Sequence, residues 1–233
     1  MIRRWFVLLP LAGALLAGCG VSGSAAADGV ARLPDARFDP APAHSGEQVA
    51  VFAGGCFWGV EAVFDHVRGV RKAWSGYAGG SADTATYEQV SDGDTGHAES
   101  VKVVYDPRKV SYGQLLKVFF AVAHDPTQRN RQGPDVGSQY RSVIFYATPQ
   151  QQQVANSYIA QLTAVHAFDA PIVTQVVPLK GFYTAEAYHQ NYAALHPDNP
   201  YIAYNDAPKV AHLKQWLPAL YRPQVQTVDV QLR

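Results

Sequence analysis

Cysteine, methionine and charge imbalance are what this sequence has least of. Its 233 residues include two cysteines, Cys19 and Cys56, and one methionine, Met1. Two thiols are too few for a disulfide framework or a four-ligand zinc site. No C-x-x-C, H-E-x-x-H or Gly-rich phosphate loop occurs either, so the commonest metal, redox-pair and nucleotide chemistries fall away. No metal and no bound cofactor is expected. Lys plus Arg number 19, and so do Asp plus Glu. Without a basic cluster to release counterions, nucleic acid is set aside as a partner. No segment repeats. What is present is 48% apolar and 16% charged, an ordinary globular composition.

The first residues read as an address. Arg3 and Arg4 form a positive start, and Trp5 to Ala17 is an apolar stretch short for a membrane span. Leu16-Ala17-Gly18-Cys19 resembles the lipobox of bacterial lipoproteins, where a peptidase cuts ahead of a cysteine that carries a diacylglyceryl thioether. The resemblance implies a signal peptide over 1–18 and lipid attachment at Cys19. A plain secretory peptide cut near Ala25-Ala26-Ala27 is the alternative. Either way the protein is exported; the lipidated form would face the periplasm of a bacterial cell envelope, and Gly20 after Cys19 points to the outer membrane. With Cys19 acylated, Cys56 is the one free thiol, and loss of Met1 leaves no methionine. Residues 19–47 are mostly Ala, Gly, Ser, Pro and Asp. They carry too little apolar surface to offset the entropy of ordering, and so read as a flexible tether. The domain is expected over 48–222, with a polar tail over 223–233.

Periodicity lays out that domain. Val49 to Ala53 is a short apolar run stopped by Gly54-Gly55, hence a buried strand and a tight turn. Val60, Val63, Phe64 and Val67 form a helical stripe that Gly69 closes. Strands follow over Val70 to Tyr77 and Ala98 to Tyr105, then a helix capped by Ser111 through Leu115, Leu116, Phe119 and Phe120. A polar loop from Asp125 to Gln139 leads into a strand over 142–146. This βαββαβ order predicts an α+β, ferredoxin-like split βαβ core. A helix near 149–166, a strand near 172–177 and a loop-rich C-terminus are expected beyond it.

Chemistry gathers at the first turn. Cys56 opens the helix after Gly54-Gly55, where free backbone N–H groups and the helix dipole favour a thiolate. Such a position can bring a thiol from about 8.5 toward roughly 3.5–7.5. Gly55-Cys56-Phe57-Trp58-Gly59 resembles the GCFWG signature of the peptide methionine sulfoxide reductase A family, and further blocks keep that family's order. They are Gly76-Tyr77-Ala78-Gly79-Gly80, Tyr87-Glu88-Gln89-Val90, the stretch from Gly93 to Glu99, that from His124 to Gln128, and that from Asp135 to Ser142.

The resemblance implies reduction of methionine S-sulfoxide, free or in oxidised proteins and peptides, to methionine. The reaction needs a nucleophile for the sulfur, acids for the oxygen and an apolar holder for the methyl group. Cys56 is the expected nucleophile, and Phe57 and Trp58 the aromatic wall. Glu99 is implied as proton donor, with Tyr87 and Tyr140 donating to the oxygen and Asp135 helping to place it, through water. For Glu99 to serve near neutral pH its pKa must be raised, which desolvation against Phe57 and Trp58 supplies. Many relatives form a disulfide after the first step, but no cysteine follows Cys56. A one-cysteine enzyme is therefore expected, a monomer recycled by an external thiol of thioredoxin-like or glutaredoxin-like kind.

Blander readings stand beside these. Tyr87 and Tyr140 are two of 13 tyrosines, and Phe57 and Trp58 are equally at home in a core. A cysteine hydrolase would pair Cys56 with a histidine such as His97, His124 or His189; His189, in Tyr188-His189-Gln190, is expected instead to brace the pocket. A non-catalytic lipoprotein scaffold would tolerate loss of the thiol.

Overall fold

The first apolar run becomes the strand on which the rest is assembled. In the computed structural model, which describes residues 33–42 and 46–229, strand β1 spans Gln48–Ala53, and Ala50 to Ala53 are all buried. A strand covered on both faces needs no polar alternation, which is why it reads as a continuous run. Helix α1 (Phe57–Asp65) leads to β2 (Val70–Ala78), then short α2 (Tyr87–Ser91) and β3 (Ala98–Tyr105). Helix α3 (Tyr112–Val118) continues as a π-helical turn, Phe119–Ala123. The two-residue strands β4 (Arg131–Gln132) and β5 (Asp135–Val136) precede β6 (Val143–Tyr146), and α4 (Pro149–Ala164) leads to β7 (Gln175–Pro178) and β8 (Phe182–Thr184). Short α5 (Tyr192–Leu195), a π-helical turn at Ile202–Asp206 and α6 (Ala207–Trp216) complete the order.

The main sheet runs β7-β6-β1-β3-β2-β8. Its central four, β6-β1-β3-β2, pair antiparallel throughout, which is the expected split βαβ core of an α+β fold. Helix α4 is the crossover that lets β7 join β6 in parallel, while β8 adds an antiparallel edge to β2 that periodicity does not reveal. Ser111 caps α3 reciprocally with Gln114: each side chain meets the other residue's backbone N–H, at 3.1 and 2.9 Å. Helix α1 ends earlier than its apolar stripe suggests, with His66 as cap, and Gly69 lies in the turn to β2 at φ +90°.

Alternate residues of β1 serve two cores. Phe52 stacks on Phe64 and Phe119, ring centroids 5.2 and 5.0 Å away, in the layer between sheet and helices. Val51 and Ala53 join Ala78, Ala98, Val143 and Phe145 on the other face. Truncating Phe52 to Ala is expected to cost about 3–5 kcal/mol.

Two terminal segments differ from expectation. Residues 33–42, read as part of the tether, are docked on α3 and α4. Leu33 is in the core, Tyr158 Oη donates to the Pro34 carbonyl at 2.8 Å, and Asp39 accepts from Gly113 N–H at 2.9 Å and from Ser111 Oγ. Composition weighs apolar surface alone, whereas this strap is held by backbone and carboxylate bonds at chosen points. The supposed polar tail is also partly fixed, because the Asn191 side chain takes both the N–H and the C=O of buried Val228, each at 2.9 Å. The signal peptide and Cys19 lie outside the described residues. Among the described residues no helix is long and apolar enough to cross a membrane.

Candidate active site

Strand β1 delivers the chain into a turn that only glycine fits. Gly55 has φ +90°, and a Cβ there would lie 2.5 Å from Cγ of Gln132. Cys56 follows at the cap position of α1 and is 8% exposed. Its sulfur stands at one wall of a cavity of about 150 Å³, lined by Cys56, Phe57, Trp58, Tyr87, Glu99, Asp135, Tyr140 and Tyr201. Every pocket residue named from the sequence is thus in one place, although five different segments supply them.

Each segment has a reason to point there. Glu99 is the second residue of β3, and its Oε2 accepts the Phe57 N–H at 3.0 Å, so a strand carboxyl closes the first turn of α1. Tyr87 opens α2, where Glu186 accepts its backbone N–H at 2.9 Å and the Tyr77 hydroxyl at 2.7 Å. Asp135 is fixed by the β4–β5 pairing. Arg141 anchors the Tyr140 turn by donating to the carbonyls of Gly96, His97 and Ser138 at 2.8–2.9 Å. Asp135 Oδ2 also accepts the Tyr201 hydroxyl. Tyr201 is the cavity residue that sequence reading missed. It lies in the loop-rich C-terminus, where no periodic or short-range pattern ties it to Cys56.

The aromatic wall is rigid. Trp58 stacks on Tyr192 at 3.8 Å and 10°, and its indole N–H donates to His189 Nδ1 at 3.2 Å. Burial lowers His189 to about 4, so the ring is neutral and its proton sits on Nε2. Its role as a brace is as expected. His124 is likewise lowered to about 4 by burial, and its ring nitrogens meet Phe119 O and Ser142 Oγ. His97 spans Gly80 N–H and Ser81 O. These three rings are engaged away from the thiol, which is not the geometry of a Cys–His dyad.

The electrostatics favour protons throughout. Burial pushes Glu99 up to about 8, opposed by the Phe57 N–H and helped by Asp135 and Asp206. Burial also pushes the Cys56 thiol well above its ordinary value; Glu99 and Asp206 add to the rise, and the Trp58 N–H and Lys209 oppose it. The lowered thiol expected from the helix end is therefore not what the free site holds, because desolvation and two acids outweigh one helix terminus. Burial raises Tyr87 and Tyr140 as well, so both hydroxyls stay protonated. The site can present a sulfur nucleophile, one carboxylic acid and hydroxyl donors to a small polar group beside an aromatic wall. Among the described residues no cluster of His, Cys, Asp or Glu is placed to hold a metal ion.

Comparison with known proteins adds the following. The sequence model of a family described as "Peptide methionine sulfoxide reductase" matches residues 48–219. A Mesorhizobium japonicum protein, peptide methionine sulfoxide reductase MsrA 2, is 61% identical over 176 residues, spanning 76% of this chain and 90% of its own length. Among solved structures, reduced Mxr1 from Saccharomyces cerevisiae is 32% identical with a TM-score of 0.61, over 70% of this chain and 91% of that one. Methionine sulfoxide reductase A of Corynebacterium diphtheriae is 38% identical with a TM-score of 0.57, over 66% and 77%.

Proposed function

The chain belongs to the peptide methionine sulfoxide reductase family, and from that membership we propose how its cavity performs the reduction of methionine sulfoxide to methionine. The sulfoxide side chain enters with its methyl group against Phe57 and Trp58, where burial and sulfur–aromatic contact hold it. Cys56 attacks the electrophilic sulfur as thiolate. Glu99 gives its proton to the oxygen, and the Tyr87 and Tyr140 hydroxyls donate to that oxygen as charge grows on it. Asp135, held by Tyr201, keeps the far side of the oxygen site in place.

The balance is two electrons. The sulfoxide is reduced to the thioether, and the thiol is oxidised to a sulfenic acid that carries one oxygen and the thiol's proton count. An external thiol then attacks the sulfenic acid, releasing water and leaving a mixed disulfide, and a second thiol frees Cys56. The chain has no cysteine after Cys56 to do this itself. We assign the task to a thioredoxin-like or glutaredoxin-like protein on the same side of the membrane. The S epimer, in proteins and peptides as well as free, is the substrate. The enzyme works from a diacyl anchor at Cys19, facing the periplasm and held at the outer membrane; two acyl chains suffice for stable attachment.

The observation that carries this reading is a strand carboxyl raised to about 8 that is hydrogen-bonded to the helix turn opened by the thiol. Single turnover tests it. Prereduced protein is mixed with stoichiometric methionine sulfoxide and no reductant, and methionine and the Cys56 peptide are quantified by mass spectrometry. One methionine per chain with one oxygen on Cys56 is the expected result. Folded protein that releases no methionine and keeps Cys56 unmodified would overturn it. Cys56→Ser is expected to abolish turnover.

A further inference from the structure

The C-terminal segment packs tightly on the thiol turn at Gly59, in the first turn of α1. A Cβ there would lie 2.0 Å from Asp206 Oδ1 and 2.7 Å from Lys209 Nζ. The missing side chain is thus the space that an ion pair occupies. Lys209 Nζ and Asp206 Oδ1 are 3.0 Å apart; the Asp206 side chain is fully buried and that of Lys209 is 19% exposed. The π-helical turn at 202–206 ends in Asp206, which caps α6 from its backbone while its carboxylate turns to the lysine one helical turn on. Among the described residues Asp206 Oδ2 has no hydrogen-bond partner, and Lys209 is the group that opposes the rise burial imposes on this carboxyl. A buried pair of this kind is a poor way to gain stability alone, since desolvation of two ions offsets their attraction.

From this geometry we infer that Lys209, held by Asp206, is a positioning cation for the Cys56 thiolate. The inference rests on the reading of Cys56 as the nucleophile. The groups that face the sulfur come from every element around it. Glu99 comes from β3, Asp135 from β5, Tyr140 from the turn after it, Tyr87 from α2 and Tyr201 from the C-terminal segment; Asp206 and Lys209, of the same segment, lie outside that cavity against Gly59 and act on the sulfur through their charge. His124, behind Gly54, is neutral. The carboxyls and phenols oppose a negative sulfur or are neutral toward it, and Lys209 is the cation among them. Its charge acts on Cys56 in the direction opposite to those of Glu99 and Asp206. Paired with Asp206, it leaves the resting thiol protonated, yet it stands by the turn to meet negative charge when the thiol ionises.

The pair makes a prediction of opposite signs. The rate of Cys56 alkylation by iodoacetamide is followed against pH in the full chain, read on the Cys56 peptide by mass spectrometry, without any sulfoxide. Lys209→Met is expected to move the midpoint up, slowing alkylation about tenfold at a fixed pH below it. Asp206→Asn, which keeps an acceptor for the ammonium, is expected to move it down, and Lys209→Arg to stay near the parent. Shifts of the same sign in both variants, or no shift in Lys209→Met, would overturn the inference, because loosened packing moves both alike. Should Lys209→Met fail to fold, a midpoint in Asp206→Asn at or above the parent's overturns it equally. Since no turnover is measured, this result stands apart from that of the single-turnover experiment.

Discussion

Two buried carboxyls meet at helix α1, Glu61 from within it and Glu99 from β3, and they differ in what surrounds them. Glu99 and Glu61 are 3% and 1% exposed, and burial pushes both up to about 8. Glu61 is spent on structure. Its Oε2 accepts the Ser75 hydroxyl and the Asn191 N–H, each at 3.1 Å, which joins α1 to β2 and the C-terminal segment. It also lines a second cavity of about 240 Å³ behind Trp58, shared with Asp65, His66, Asn191 and Asp206 and otherwise walled by alanine, proline and branched aliphatics, with no thiol or hydroxyl among the described residues that line it. Glu99 instead has one backbone donor and faces a thiol and three phenols. A raised acid marks burial, and what separates chemistry from scaffolding is whether a nucleophile and hydrogen-bond donors share its cavity.

That contrast breaks most sharply under matched substitution. Glu99→Gln keeps an acceptor for the Phe57 N–H and removes the proton. The single-turnover rate is expected to fall on the order of 10² to 10⁴, while Glu61→Gln, measured in the same assay, stays within a few-fold of the parent. Equal losses would erase the distinction. Next in size are the oxygen donors: Tyr140→Phe and Tyr87→Phe are each expected to lower that rate on the order of 10²-fold or less. A change in KM alone would assign them to binding.

The stability cost of keeping Glu99 protonated sharpens the comparison further. Its pKa is raised on folding from 4.5 to about 8, so the folded state holds a proton that the unfolded chain releases. The penalty is absent below about 4.5 and grows as pH rises toward about 8. Glu99→Gln is expected to gain up to a few kcal/mol over the parent between pH 5 and pH 8, read by urea unfolding at each pH. A gap between the two proteins that does not change with pH would contradict the raised acid. Smallest is the strap: Asp39→Ala, which frees Ser111 and Gly113 at the start of α3, is expected to cost about 1–2 kcal/mol and leave turnover unchanged.

Sequence and structure part company at identifiable places. The βαββαβ order is legible because each core element is long enough to show its period or its cap, as with the Val49–Ala53 run and the Ser111–Gln114 box. Strand β8 is three residues long and exists because β2 offers an open edge, so nothing local announces it. In the site, Cys56, Phe57, Trp58, Tyr87, Glu99, Asp135 and Tyr140 sit inside short motif blocks that make them legible in the sequence. Tyr201 reaches the thiol cavity, and Asp206 and Lys209 the turn at Gly59, only through the packing of the C-terminal segment on α1. A helix end that can lower a thiol is visible in sequence, whereas the burial and the two distant acids that raise Cys56 are not. The strap over 33–42 was missed for the same reason, since its partners are 72–126 residues away.

The most direct test of Glu99 as the acid is the pH profile of the sulfoxide rate at subsaturating substrate, pH 6 to 10, in the parent and in Glu99→Gln. Thiol and carboxyl titrate as a pair, and the reactive form carries one proton between them. The parent rate is expected to rise through about 8, where the first proton leaves, and to fall again at higher pH when the pair has lost both. Glu99→Gln should be slower throughout and should only rise, as Cys56 alone ionises. A falling limb that survives in Glu99→Gln would place the required proton on another group and contradict the account.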